Sequence, residues 1–206
     1  MTKTLFLSII IGILIFSCSS PKGIRYFDEN NIEISKSKFK KIRSTNRLLD
    51  IPGDSVNHRN LTERENQGQI KNRDILISLL ENELNKKIDT TKLVVIIYYP
   101  GMDPCNSSAH YDKDFAKIRQ DDFELRLNNL ADVKPIYIYK DNEGIKDKYG
   151  YEKWHKDPEN VVEQLFFRYH YPCQSFVVIS KDGKYRSYFG EYGADYLLAV
   201  VQYMMK

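Results

Sequence analysis

The sequence predicts an α/β domain: a central mixed sheet with helices on both faces, three layers deep, preceded by a loop-rich N-terminal extension. Three observations carry this. Leu93-Val-Val-Ile-Ile-Tyr-Tyr99 is a continuous apolar run rich in β-branched and aromatic residues, and it stops at Pro100-Gly101. Such a run fits a strand buried on both faces, as at the centre of a sheet covered by helices. Segments with helical spacing of apolar residues lie before it and after it. Near the C-terminus, Phe176–Ser180 and Lys184–Phe189 flank Asp182-Gly183, a favoured tight-turn pair, and predict a hairpin.

Taken in order, the chain opens with Lys3 and the apolar stretch from Leu5 to Ser17, followed by Cys18, Ser19, Ser20 and Pro21. A basic start, an apolar core of about a dozen residues and a small residue before the cut have the form of a secretory signal peptide over residues 1–17. A membrane span needs roughly 20 apolar residues, so this stretch is too short for one. Ile15-Phe16-Ser17-Cys18 resembles the lipobox of bacterial lipoproteins. That resemblance implies that Cys18 is lipidated and becomes the first mature residue. It also implies a palmitate-bearing anchor that tethers the protein to a membrane of the cell envelope. Ser19 in the next position resembles outer-membrane sorting in bacteria with two membranes.

Residues 18–24 then form a small, polar tether broken by Pro21 and Gly23. Residues 25–71 are the extension. Within it, Asn30-Asn31 between short apolar pieces predicts a hairpin, and Lys36–Arg43 reads as a solvated basic helix face. Pro52-Gly53, Gly68 and many charges make the remainder loop-rich. The α/β domain spans residues 72–206.

Asn72 is a candidate helix cap ahead of Ile75, Leu76, Leu79, Leu80 and Leu84. After the Leu93–Tyr99 strand, Phe115, Ile118, Phe123, Leu127 and Leu130 predict a second helix, with room for an interruption. Val133–Tyr139 is the next strand. Asp157-Pro158 offers a cap with Pro in the first turn of a helix carrying Val161, Val162, Leu165 and Phe166. The hairpin follows, and a closing helix runs from about Asp195 to Met205.

The formal charge of +3, from 31 basic and 28 acidic residues, falls to +2 once Lys3 is removed with the signal. So slight an excess gives no field that would favour nucleic acid as a partner. With Cys18 committed to lipid, the exported body retains Cys105 and Cys173, and an oxidising compartment permits two thiols to pair.

The element order resembles the thioredoxin fold over roughly residues 90–206. Two places carry the resemblance beyond topology. Tyr98-Tyr99-Pro100-Gly101-Met102-Asp103-Pro104-Cys105 follows the central strand, where thioredoxins place Cys-x-x-Cys. Tyr171-Pro172-Cys173 precedes the hairpin, where the superfamily places its cis-proline. Tyr99-Pro100 followed shortly by Cys105 also resembles the start of a peroxiredoxin site. The chain lacks the Cys-x-x-Cys motif, and Met102 stands where peroxiredoxins carry Thr.

The resemblance implies that the loops bearing Cys105 and Cys173 meet, so the two form a disulfide that is either structural or redox-active. It implies Pro172 as the cis-proline. If a helix opens after Cys105, free N–H groups and the helix dipole would favour its thiolate. The four His include His110 and His170 near these loops, with His58 and His155 read as surface residues. Cys105, Cys173 and His170 together resemble part of a thioredoxin-like copper-chaperone site, but the Cys-x-x-x-Cys pair of those proteins is missing, and neither a metal nor a cofactor is expected. The aromatic residues from Phe166 to Tyr196 are expected to cover the sheet. Trp154 is placed either as a contact residue or as a lid on the core.

Two functions follow. One is a lipid-anchored thiol–disulfide oxidoreductase in which Cys105 is the nucleophile, Cys173 the resolving partner and Pro172 part of the surface for a protein or peptide thiol substrate. The other is a non-catalytic envelope lipoprotein whose thioredoxin-like body binds a partner and is stapled by Cys105–Cys173.

Overall fold

A computed structural model describes residues 23–107, 112–148 and 150–206 of the chain. The signal, Cys18 and most of the tether fall outside the described residues, as does His110. Among the described residues no helix is long and apolar enough to cross a membrane.

The protein is a mixed α/β structure with two mixed sheets. The larger is built on β6 (Val94–Tyr99), β7 (Ile136–Tyr139), β8 (Trp154–Lys156), β9 (Ser175–Ile179), β10 (Lys184–Tyr188) and β5 (Glu65–Gln69), in the order β5-β10-β9-β6-β7-β8. β6, β7 and β8 run parallel, while β9, β10 and β5 alternate in direction from β6 outward. All six residues of β6 and all five of β9 are buried, the result expected of uninterrupted apolar runs at the middle of a covered sheet.

Helices lie on both faces of this sheet. On one, Leu76, Ile77 and Leu80 of α2 (Arg73–Leu84) and Val162 and Phe166 of α5 (Val161–Phe166) pack with Val94, Ile96, Tyr98, Val177 and Ile179. On the other, Phe123 and Leu127 of α4 (Lys113–Ala131) and Leu197, Val200 and Val201 of α6 (Ala194–Met204) pack with Val95, Ile97, Phe176 and Val178. The alternation of residues along β6 and β9 between the two clusters is the two-residue period of a strand. α4 is continuous rather than interrupted. Asp112 caps it, accepting from the amides of Asp114 and Phe115 at 3.0 and 3.1 Å.

The stretch expected to be loop-rich is instead ordered into strands and a helix. β1 (Arg25–Phe27), β2 (Glu33–Ile34), β3 (Leu48–Pro52) and β4 (His58–Glu63) form the smaller sheet, in the order β2-β1-β4-β3, with α1 (Lys36–Arg43) against it. β1 and β2 pair as the Asn30-Asn31 turn predicts, and Asp28 ties the turn through the amides of Asn30 and Ile32. Phe39 of α1 fills a small core with Leu48 and Leu61. The strands escape a reading of periodicity because they are short, and β4 and β5 are also largely polar. β5, whose sequence is Glu-Asn-Gln-Gly-Gln, is exposed throughout and exists through its ladder with β10.

The extension therefore supplies the outer strand of the central sheet. Arg64, between β4 and β5 and only 8% exposed, fastens the joint. Its Nε and Nη2 donate to the backbone and side-chain oxygens of Asn46 at 2.8 and 2.5 Å, and its Nη1 donates to the Phe189 carbonyl at 3.2 Å.

Other expectations need adjustment. Asn72 stands before α2 but makes no side-chain cap bond. Trp154 lies on the edge strand β8, its ring 5.0 Å from that of Tyr137, and packs on the core as a lid does. The aromatic residues cover the sheet: Phe167 stacks on Tyr98 at 4.7 Å and Tyr171 on Phe189 at 4.3 Å. His155 is half-buried on β8, and His58 packs on the Phe27 ring at 4.9 Å.

Asp157, 2% exposed, caps α5 by accepting from the amides of Val162 at 3.0 Å and Glu163 at 2.8 Å, across the turn Pro158–Asn160. Burial pushes its carboxyl up to about 6, while the two amides pull the other way. A carboxyl raised above its unfolded value of about 4 binds its proton more tightly when folded, so its contribution to stability is full below pH 4 and lost as the pH rises through 6. The stability of wild type relative to Asp157→Asn should fall between pH 4 and 7 by on the order of 3 kcal/mol, read from urea denaturation at each pH. A pH-independent difference would contradict this assignment. A chain starting at residue 72 should leave the β10 edge open and self-associate, which light scattering would detect. A monodisperse monomer of unchanged melting temperature would contradict the structural role given to β5.

Candidate functional site

The site forms where β6 ends and where β9 begins, two neighbouring antiparallel strands whose ends bring residues 100–107 and 170–174 together. Pro100 stops β6, and Gly101 turns the chain at a φ of +125°, a conformation that L side chains rarely adopt. A helix then starts, α3, described over Pro104–Ser107.

Its start is a reciprocal cap. The Oδ1 of Asp103 accepts from the amides of Cys105 at 2.7 Å and Asn106 at 3.1 Å, and the Asn106 side chain accepts in return from the Asp103 amide at 3.0 Å. This is the logic of a capping box, with Pro104 in the first helical position where no N–H is needed. Asn106 also donates to the Gly101 carbonyl at 3.0 Å, closing the loop on itself.

The second oxygen of the same carboxylate reaches the other loop. Asp103 Oδ2 accepts from the Cys173 amide at 2.8 Å and lies 3.3 Å from Nε2 of His170. With Asp103 ionised, Nε2 is the donor. The Asp103 side chain is 8% exposed, that of His170 47%. One buried carboxylate thus serves three backbone amides and an imidazole across two segments. Each such bond to a charged acceptor contributes about 1.5–3 kcal/mol.

Cys105 and Cys173 are joined by a disulfide, with Cα atoms 5.3 Å apart and a separation of 68 in sequence. Cys173 has a φ of +63°, unusual for a residue with a side chain. The Asp103 bond to its amide and the covalent link to Cys105 hold it there. The Tyr171–Pro172 bond is trans, as no described residue has a cis peptide, so Pro172 does not act as the expected cis-proline. The left-handed turn at Cys173 redirects the chain into β9 instead. Pro172 packs beside Gly190, where an added Cβ would come within 3.2 Å of both the Pro172 ring and the Arg64 guanidinium; with φ at +76°, that position calls for glycine.

Cys105 is exposed and Cys173 half-buried. Each borders a different opening. Cys105 and Pro172 line a cavity of about 510 Å³ shared with Lys40, Arg43 and Arg64 of the extension. Cys173 lines another, of about 520 Å³, with Phe115, Arg119 and Lys148. Burial lowers the pKa of Lys148, and the nearby Asp103 carboxylate opposes that shift. Lys148 Nζ lies 3.4 Å from the Asn106 carbonyl, so a cation flanks this helix.

The structure brings together Cys105, Cys173, Pro172 and His170, all named from sequence. It does not provide the free N–H groups expected beside Cys105: Asp103 occupies those of Cys105 and Asn106, and its negative charge offsets the dipole of the helix that starts there. Nor do the three copper-ligand candidates face a common centre, because the two sulfurs bond each other and His170 bonds Asp103. No group of three or more metal-ligating side chains is found among the described residues.

Asp103 is the central residue that reading the sequence missed. Its signal was present, since Asp103-Pro104 repeats the Asp-Pro signature recognised at Asp157-Pro158. Loop-closure entropy over this separation makes the disulfide worth about 4 kcal/mol. Reduction should lower unfolding stability by up to that amount, seen as a fall in the urea midpoint with dithiothreitol present. An unchanged midpoint would show that the closed loop restrains little. Comparison of the chain with protein-family models, curated proteins and solved structures finds no match.

Proposed function

We propose that this chain is a lipid-anchored, exported protein with a thioredoxin-like body that carries out thiol–disulfide exchange through Cys105 and Cys173. The observation that carries the reading is a disulfide between an exposed Cys105 and a half-buried Cys173, each residue lining its own opening. The position of Cys105 just after β6 and of Cys173 just before β9 also supports it.

In the exchange, a substrate thiolate attacks Sγ of Cys105. A sulfur–sulfur bond forms between substrate and Cys105, and the Cys105–Cys173 bond breaks with its electron pair leaving on Cys173. A second substrate thiolate then attacks the substrate sulfur of the mixed disulfide and releases Cys105. Two substrate thiols are oxidised to one disulfide, and the protein disulfide is reduced to two thiols by the same two electrons. The reverse sequence reduces a substrate disulfide. Cys105 is the better target because it is exposed, whereas Cys173 is half-buried.

A second reading keeps the same bond as a staple in a partner-binding lipoprotein. The Asp103 carboxylate favours it, because a negative charge at the start of α3 removes the stabilisation that reactive Cys residues draw from a helix N-terminus.

The two are separated by mixing the oxidised full-length protein, in detergent, with a reduced dithiol peptide. Exchange predicts formation of the peptide disulfide by the wild type and, when the reduced variants are mixed instead with the peptide in its disulfide form, a mixed disulfide on Cys173→Ser that Cys105→Ser does not form. It also predicts a reduction potential above about −300 mV. No transfer, together with a potential well below that value, would overturn exchange and leave the staple.

A further inference from the structure

Most of the hydrogen bonds that hold the two cysteine loops together come from a single side chain. Asp103 Oδ1 takes the amides of Cys105 and Asn106, and Oδ2 takes the amide of Cys173 and approaches His170. These contacts fix the main chain at both ends of the disulfide, and none involves a sulfur atom. They can therefore persist when the bond is broken.

The geometry points to Asp103 as the positioning residue that sets the reduction potential of the Cys105–Cys173 pair, by keeping the two thiols at bonding separation in the reduced protein. The inference rests on the reading of this bond as exchangeable.

The physical link is reciprocal. In the oxidised protein the covalent bond already holds the loops, so Asp103 makes its contacts at little further cost in conformational freedom. In the reduced protein the same contacts must order both loops by themselves. The carboxylate and the disulfide each favour the closed arrangement, and linkage requires that each strengthen the other by the same factor. Removing the carboxylate must then lower the equilibrium constant for closing the disulfide. Cys173 sharpens the effect, because its left-handed backbone is held through the amide that Asp103 accepts. Lys148, beside the Asn106 carbonyl and within the field of Asp103, balances the buried charge.

The test equilibrates the full-length protein with glutathione or dithiothreitol redox buffers at a fixed pH. Asp103→Asn keeps the shape of the side chain but cannot accept on both sides. The expected result is an equilibrium constant for disulfide formation about tenfold smaller, a potential about 30 mV less negative. The melting temperature should fall further in the oxidised form than in the reduced one. His170→Ala, which leaves all three amide contacts in place, should shift the constant in the same direction by at least twofold, and it decides the matter if Asp103→Asn does not fold.

A constant within twofold of wild type, with melting temperatures falling equally in both redox states, would overturn the inference and leave Asp103 as a cap only. Failure of the exchange reading looks different: wild type would transfer no electrons to a dithiol peptide, whatever the variants do to the potential.

Discussion

The arrangement depends on one buried carboxylate. A short polar turn after the central strand and a loop entering the neighbouring strand have no apolar reason to touch, yet their backbone donors would be costly to leave unpaired away from water. Asp103 resolves this by accepting from both. The cysteines are brought within disulfide range as a consequence of where their amides are held. A side chain of neutral shape could satisfy one loop or the other, but the two oxygens of an ionised carboxylate satisfy both at once.

The rest of the protein supplies a rigid frame for that contact. β6 and β9 are neighbours with every residue buried, so the points at which the chain leaves β6 and enters β9 are fixed by packing on both faces. The extension closes the remaining side. β5 covers the β10 edge, and Arg64 spans from Asn46 to Phe189 beside the glycine that accommodates Pro172. Residues 25–71 are thus part of the wall of the Cys105 cavity as well as of the sheet.

What could be read from the sequence follows the strength of local signals. The apolar run of β6, the Asp182-Gly183 hairpin and the helical stripe of α6 are strong because burial on this scale demands particular residues at particular spacings, whereas Ile75 of α2 and Phe115 and Ile118 of α4 belong to the stripes read from sequence yet are exposed. β3, β4 and β5 gave little signal. β3 and β4 are short and pair with each other, while β5 is held by its ladder with the distant β10, and its polar sequence carries no mark of that partner. The meeting of Cys105 with Cys173 followed from a resemblance in element order and matches the disulfide observed. The cis-proline expected at Pro172 did not, because the reversal of the chain is made by a left-handed Cys173. Asp103 was legible as a helix cap from Asp-Pro alone. Its second role was not, since nothing local records an amide 70 positions away.

The central claim is that Asp103 keeps the loops together even when the disulfide is broken. Amide hydrogen exchange in the reduced wild-type protein tests it most directly. The account predicts that the Cys105, Asn106 and Cys173 amides remain protected after the bond is broken, because their acceptor is a carboxylate untouched by reduction. Exchange of the Cys173 amide at the rate of an open loop in the reduced protein, with protection confined to the oxidised form, would contradict it.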